Sequence, residues 1–236
     1  MSSSAPVAII TAASQGIGAA IARRLARDGY RVSLLARSER VHHVAEELGG
    51  TAVQGSVDQP ADLEQLVRHT VDVFGRVDAL VNNTGHPAKG DPLAVSEAEW
   101  QRGYDLILGS VIRLARLVAP VMRAQGGGSV VNISSYAAVA PDPARPVSSV
   151  FRAALSAWTR VFAESAAPLG IRVNSILPGF VDTGHVDPAT VVGAIPLRRQ
   201  STPAELAAVV AFLLSAEASY ITGQNILADG GMVRRV

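Results

Sequence analysis

Cysteine is absent from the chain, which excludes disulfide staples, thiolate metal sites and thiol nucleophiles. An excess of either charge is missing too. Lys+Arg number 21 and Asp+Glu 20, so the net charge is +1 and the basic face of a nucleic-acid binder is not expected. Charge is sparse overall, at 17% against 48% hydrophobic residues. A disordered chain has the opposite balance, so a sizeable core is expected. The five histidines show no HxxxH or HExxH spacing, and no metal site is expected. Long hydrophobic runs are lacking. The apolar run at 7–10 is too short for a signal peptide or a membrane span, so a soluble cytoplasmic protein without a membrane partner is expected. Lysine is nearly missing: Lys89 stands alone among arginines.

What the chain does have is alternation. Short apolar runs at 7–10, 32–35, 79–81, 130–133, 173–177 and 225–227 read as buried strands, with a weaker one at 52–54. Amphipathic stretches such as 17–28, 61–74 and 150–167 lie between them. Alternation of this kind implies an α/β fold with a parallel sheet covered on both faces. Ser96 to Glu99 forms a capping box that opens a long helix to about Arg123, and Thr202 to Glu205 forms another with proline at the first helical position. No repeat, linker or compositional break appears, and 236 residues fit one domain, 1–236. Residues 178–196 follow no regular pattern, so the segment from 178 to about 202 is expected to be a substrate lid.

The first strand runs into Thr11-Ala12-Ala13-Ser14-Gln15-Gly16-Ile17-Gly18, and a helix follows. A strand, a glycine turn and a helix N-terminus form a pyrophosphate site, because backbone N–H groups and the helix dipole face the anion. Further motifs follow in order. They are Asn82-Asn83-Thr84-Gly85, Asn132-Ile133-Ser134-Ser135, Pro178-Gly179-Phe180-Val181-Asp182-Thr183, Thr222-Gly223-Gln224 and Asp229-Gly230-Gly231. The chain therefore resembles the short-chain dehydrogenase/reductase family along its length, in the single-domain 3-oxoacyl-reductase-like form. Its turn departs from the family's TGxxxGxG only at Ala12. The resemblance implies one doubly wound Rossmann domain with seven parallel strands and helices on both faces.

The resemblance also implies a nicotinamide cofactor. Its contacts would be Thr11, Ser14, Gln15, Gly16, Ile17 and Gly18 at the turn, with Ser56 and Val57 near the adenine. Asn83, Gly85, Arg152, Pro178, Gly179, Phe180, Val181 and Thr183 would hold the remainder. Ser56 stands where the family usually has an aspartate, and Gln15 where NADP-binding relatives often carry a basic residue. Arg37 ends the second strand where an acidic residue would bind the ribose of NAD; an arginine suits the 2′-phosphate of NADP, so NADP is expected over NAD.

The catalytic set departs further. In the family a serine polarises the carbonyl, a tyrosine moves the proton, a lysine lowers the tyrosine's pKa, and an asparagine holds a water relay. Ser135 fits the serine. The tyrosine position, thirteen residues later, is Ser148; the lysine position, four further, is Arg152; the asparagine position is Ile107. Serine is a much weaker acid than tyrosine, and arginine stays charged, so Ser148 donates a hydrogen bond and Arg152 holds the ribose or an oxyanion without shuttling a proton. Ser135, Ser148 and Arg152 are the candidate catalytic residues. Tyr136, Tyr104, His86 and His185 are candidates to replace the tyrosine, with water or the substrate's own hydroxyl as other proton sources.

Three readings stay open at this point: an NADP(H)-dependent oxidoreductase with an atypical proton donor, a non-redox enzyme on the same fold (cyclase, dehydratase or isomerase), or a non-catalytic nucleotide-binding subunit. The expected ligand is a small molecule. Phe180, Val181, Val191, Val192 and Ile195 in the lid hint that it is hydrophobic. The resemblance implies a homo-oligomer, dimer or tetramer, packed through the helix that carries Ala153, Ala154, Ala157, Trp158 and Phe162.

Overall fold

Every apolar run expected as a strand becomes one; the central strands are buried on both faces and so need no polar side, while the two edge strands are only partly covered. The computed structural model describes residues 5–184 and 186–234. Its elements run β1 (Val7–Thr11), α1 (Gly16–Arg27), β2 (Arg31–Ala36), α2 (Arg40–Glu47), β3 (Thr51–Gln54), α3 (Pro60–Phe74) and β4 (Ala79–Asn82). Then come α4 (Glu97–Tyr104), α5 (Ser110–Ala124), β5 (Gly128–Ile133), α6 (Pro146–Ala166), β6 (Ile171–Pro178), α7 (Pro188–Val191), α8 (Pro203–Leu214) and β7 (Asn225–Ala228). The strands form one seven-stranded sheet in the order β3-β2-β1-β4-β5-β6-β7, and every pairing is parallel.

Side chains alternate across this sheet. On β1, Ala8 and Ile10 pack with Ile21 and Leu25 of α1 and Val210 of α8. Ile9 faces the other way, into Leu63 and Leu66 of α3 and Leu114 and Val118 of α5. The period of two thus divides one strand between two cores, which is why β1 is buried along its whole length. The strand order reverses between β1 and β4. Chains leaving their carboxyl ends part there and open a crevice, the place where ligands bind in open α/β sheets.

Both capping boxes form as expected: Ser96 with Glu99 at α4, and Thr202 with Glu205 at α8. The helix expected from Ser96 to about Arg123 does not run unbroken. A π-helical turn at Asp105–Gly109 separates α4 from α5. Arg113 donates to Asp105 across that turn at 2.7 Å, and Ser110 Oγ donates to the Leu106 carbonyl. Such turns insert one extra residue and re-aim the side chains around them. The helix expected from 150 begins earlier, at Pro146, whose ring presets the first helical φ. Ser148 and Ser149 therefore lie inside α6. Ser149 Oγ accepts the Asp142 N–H at 3.0 Å and ties down the preceding loop.

One long-range device closes the sheet's far side. Arg172 of β6 donates to the Leu213, Leu214 and Ser215 carbonyls, which the end of α8 leaves without helical partners. Among the described residues, no helix is long and apolar enough to cross a membrane.

Candidate active site

A cleft of about 640 Å³ opens at the carboxyl ends of the strands. It lies over the strand-order reversal and is within the range of small-molecule sites. One wall is the glycine turn. Ser14, Gln15, Gly16 and Ile17 line it. Gln15 sits at the start of α1 and makes no side-chain cap hydrogen bond, so the first N–H groups of the helix are left for an anion. Thr11 and Gly18 do not line the cleft; they shape the turn from behind. Thr11 Oγ1 accepts the Asn83 N–H at 2.8 Å and donates to the Asn83 carbonyl at 2.6 Å, which joins the ends of β1 and β4. A Cβ on Gly18 would overlap the Ala12 carbonyl, so only glycine lets the helix approach the turn this closely. Ala12, where the family's turn has glycine, is held in the left-handed region at φ 48°.

At the next stretch Arg37, Ser56 and Val57 line the cleft with Asn83 and Gly85. The Arg37 guanidinium passes Gly85: a Cβ built there would lie 3.9 Å from its Nη2. The Ser56 N–H donates to Asp62 at 2.7 Å. Asn83 Nδ2 donates to the Ala12 carbonyl at 3.3 Å and braces the glycine turn.

The far end holds the three candidate catalytic residues together: Ser135, Ser148 and Arg152 all line the cleft. Ser135 Oγ accepts the Ala137 N–H at 3.2 Å, and Ser148 Oγ accepts Arg152 Nε–H at 3.2 Å. Each hydroxyl oxygen is thus used as an acceptor, and its own proton remains to be donated. Arg152 is 6% exposed, and its Nη1 donates to the Ile133 carbonyl at 2.9 Å. Burial lowers its pKa to about 10, so it remains cationic at neutral pH. Pro178, Gly179, Phe180, Val181 and Thr183 also line the cleft. Val181 bridges to Ser201, and Asp182 N–H donates to the Ser201 carbonyl, so the segment's two ends are pinned together.

The apolar side chains of the segment expected as a lid do not all face the cleft. Phe180 and Val181 line the cleft, whereas Val191, Val192 and Ile195 do not. Val191 and Ile195 are buried in the protein, Ile195 against Gly230. The hint of a hydrophobic ligand drawn from these three residues therefore loses its basis. Ile107 is buried with Val111 and Leu155. The void beside it measures about 10 Å³, at the lower limit for a single water.

Of the candidates to replace the family's tyrosine, Tyr136 and His86 line the cleft. Tyr104 does not; its ring packs edge-on to Phe151 at 6.0 Å. His185 lies outside the described residues. Sequence reasoning missed Arg145. It sits in the cleft wall, donates to Tyr136 Oη at 3.0 Å and lies over the Phe180 ring at 5.4 Å. It belongs to an irregular loop, where no periodicity marks a functional side chain. Lys89 also lines the cleft, although its sequence context carries no motif. Among the described residues the lining holds Arg37, Lys89, Arg145 and Arg152 and no carboxylate. No metal-binding cluster of His, Cys, Asp and Glu occurs among the described residues.

A glycine-turn cleft at the switch point of a seven-stranded, doubly wound parallel sheet defines a Rossmann-type dinucleotide-binding protein. Comparison with known proteins narrows the class. A family model described as "Enoyl-(Acyl carrier protein) reductase" matches residues 11–233. "Dehydrogenase/reductase SDR family member 4" of Homo sapiens is 35% identical over 98% of this chain and 88% of its own length. The "3-oxoacyl-[acyl-carrier-protein] reductase" of Synechocystis is 35% identical over 97% of each chain. The structure of L-sorbose reductase from Gluconobacter frateurii, complexed with NADPH and L-sorbose, superposes with a TM-score of 0.94. It is 32% identical and covers 99% of this chain and 98% of that one. The chain belongs to the short-chain dehydrogenase/reductase family of oxidoreductases.

Proposed function

We propose that the protein is an NADP(H)-dependent oxidoreductase acting on a ketone or alcohol, with Ser148 and Arg152 in place of the family's tyrosine and lysine. The observation that carries this reading is the continuous cleft from Arg37, past the glycine turn, to Ser135, Ser148 and Arg152. Its lining fits NADP on two counts: it has four cations and no carboxylate among the described residues, and α1 presents uncapped N–H groups to it. Arg37 would take the 2′-phosphate, the turn the pyrophosphate, and Arg152 the nicotinamide ribose. NADP(H) when bound supplies or takes up the hydride. The protein's own part is positional and electrostatic: Ser135 and Ser148 offer two O–H donors to one carbonyl oxygen, and the Arg152 cation stabilises negative charge growing there. We further propose that all of 1–236 acts as one dinucleotide-binding domain and that 178–202 serves as its lid.

Calorimetric titration is the first test. NADPH should bind at least several-fold tighter than NADH, and Arg37→Ala should erase the difference; equal affinities in the native protein would remove the basis for NADP. Steady-state oxidation of NADPH against a panel of carbonyls tests turnover. The absent tyrosine and lysine favour a second reading, a non-redox enzyme or a non-catalytic nucleotide-binding subunit. Tight NADPH binding without hydride transfer to any carbonyl would select it.

A homo-oligomer is part of the proposal. On α6, Val150, Ala153, Ala157 and Val161 are all exposed and recur at helical spacing, leaving one apolar stripe uncovered. Light scattering should give a dimer or tetramer; a mass near 24.5 kDa at micromolar concentration would reject it.

A further inference from the structure

We infer that Tyr136, held by Arg145, is the proton donor of this site, so that the tyrosine–cation pair missing from positions 148 and 152 is rebuilt on the segment following β5. The inference rests on the reductase reading and deepens it.

Ser148 is too weak an acid to fill the tyrosine's place, and Ile107, an apolar side chain, offers no hydrogen bond to hold a water relay where the family has asparagine. Of the chain's four tyrosines only Tyr136 lines the cleft. It directly follows Ser135, and its ring meets Phe180 at 5.6 Å, at the end where Ser148 and Arg152 sit. Arg145 donates to the phenol oxygen, so Oη is used as an acceptor and its own proton is left for the cleft. The cation is itself positioned. Asp142 lies 3.5 Å from Arg145 Nε, its N–H is fixed by Ser149, and the Ala144 carbonyl accepts Gly90 N–H.

The chemistry balances. In carbonyl reduction the carbon receives two electrons as hydride from the reduced nicotinamide, the C=O π bond opens onto oxygen, and that oxygen takes the Tyr136 proton. The phenolate left behind is balanced by Arg145 and regains its proton from water. The charged and titratable groups facing Tyr136 are Arg145 and Asp142 from its own loop, with Arg152 from α6 and His86 and Lys89 from the segment after β4 sharing the cleft. Burial raises the phenol above the ordinary tyrosine value, Arg145 opposes this and Asp142 adds to it. The group therefore holds its proton at neutral pH, and Arg145 is the neighbour that favours its release.

Tyr136→Phe keeps the ring against Phe180 and removes only the hydroxyl. With NADPH and a carbonyl that the native protein reduces, kcat should fall by about 10²–10⁴-fold, while NADPH affinity and KM change little. Tyr220→Phe, at a fully exposed site, should leave turnover unchanged. A second readout is independent of turnover. Ultraviolet difference titration of the NADPH-bound protein, native against Tyr136→Phe, isolates the Tyr136 phenol. Arg145→Ala should shift that titration to higher pH, and Arg145→Lys should restore it. Native kcat in Tyr136→Phe, or a titration indifferent to Arg145→Ala, would overturn the assignment. No carbonyl turnover by the native protein would overturn the reductase reading instead.

Discussion

The two ends of the cleft depart from the family's pattern in different ways. At one end, Ala12 and Gln15 in the glycine turn and Ser56 after β3 differ from the family's pattern but leave the cleft wall standing: Ala12 adopts a left-handed conformation, and the turn still lines the cleft. At the other end, on the proposed reading, Ser148 and Arg152 stand in place of the family's reacting groups, and α6 carries both of them to the cleft. The first end is a site made of N–H groups and sterics, which a changed side chain seldom disturbs. The second depends on the acidity of particular side chains, which a single substitution rewrites. Positioning supplies about 7–11 kcal/mol in well-oriented systems, and acid–base catalysis about 10²–10⁴ in rate. A cleft that still positions cofactor and carbonyl can thus lose the usual proton donor and remain a working site.

Substitutions at both ends sharpen this contrast. Gly18→Ala should have the largest effect, since the new Cβ meets a backbone carbonyl that cannot move aside. We expect a loss of about 3 kcal/mol in urea unfolding, together with loss of NADPH binding. Unchanged stability would mean that the turn is not sterically closed. Arg152→Met should act in the opposite sense. The cation is buried with no carboxylate partner, so its replacement by an apolar chain should stabilise the fold by about 2 kcal/mol while weakening NADPH binding. A destabilised variant would show that its bonds to Ser148 and Ile133 outweigh its desolvation. The smallest effect belongs to Ala12→Gly, which relieves a left-handed alanine and should stabilise the fold by about 1 kcal/mol in the same assay with nucleotide binding intact.

Much of the fold was legible along the chain because it rests on short-range rules. Continuous apolar runs marked the strands, and both capping boxes opened helices where Ser96 and Thr202 stood. Most of the expected cofactor residues line the cleft. Thr11 and Gly18 are exceptions because the turn needs support behind it as well as contacts in front. The misreadings fall in irregular segments or at element ends. The π turn interrupts a helix whose periodicity predicts continuity, and α6 starts at Pro146 rather than near 150. Val191 and Ile195 turn inward and are buried, and an apolar residue in an irregular segment does not announce which side it faces.

The sequence by itself determined the strand–helix alternation, the glycine turn and the chemistry available at positions 135, 148 and 152, since each depends on residue type and local spacing. Only the tertiary structure decided that Arg145 reaches Tyr136, that Arg172 caps α8, and that the cleft wall carries cations without a carboxylate among the described residues. Arg172 reaches from β6 to the end of α8, and Arg145 reaches Tyr136 from a loop of irregular geometry. No period encodes where such a loop places a side chain; the packing of the strands and helices around it does.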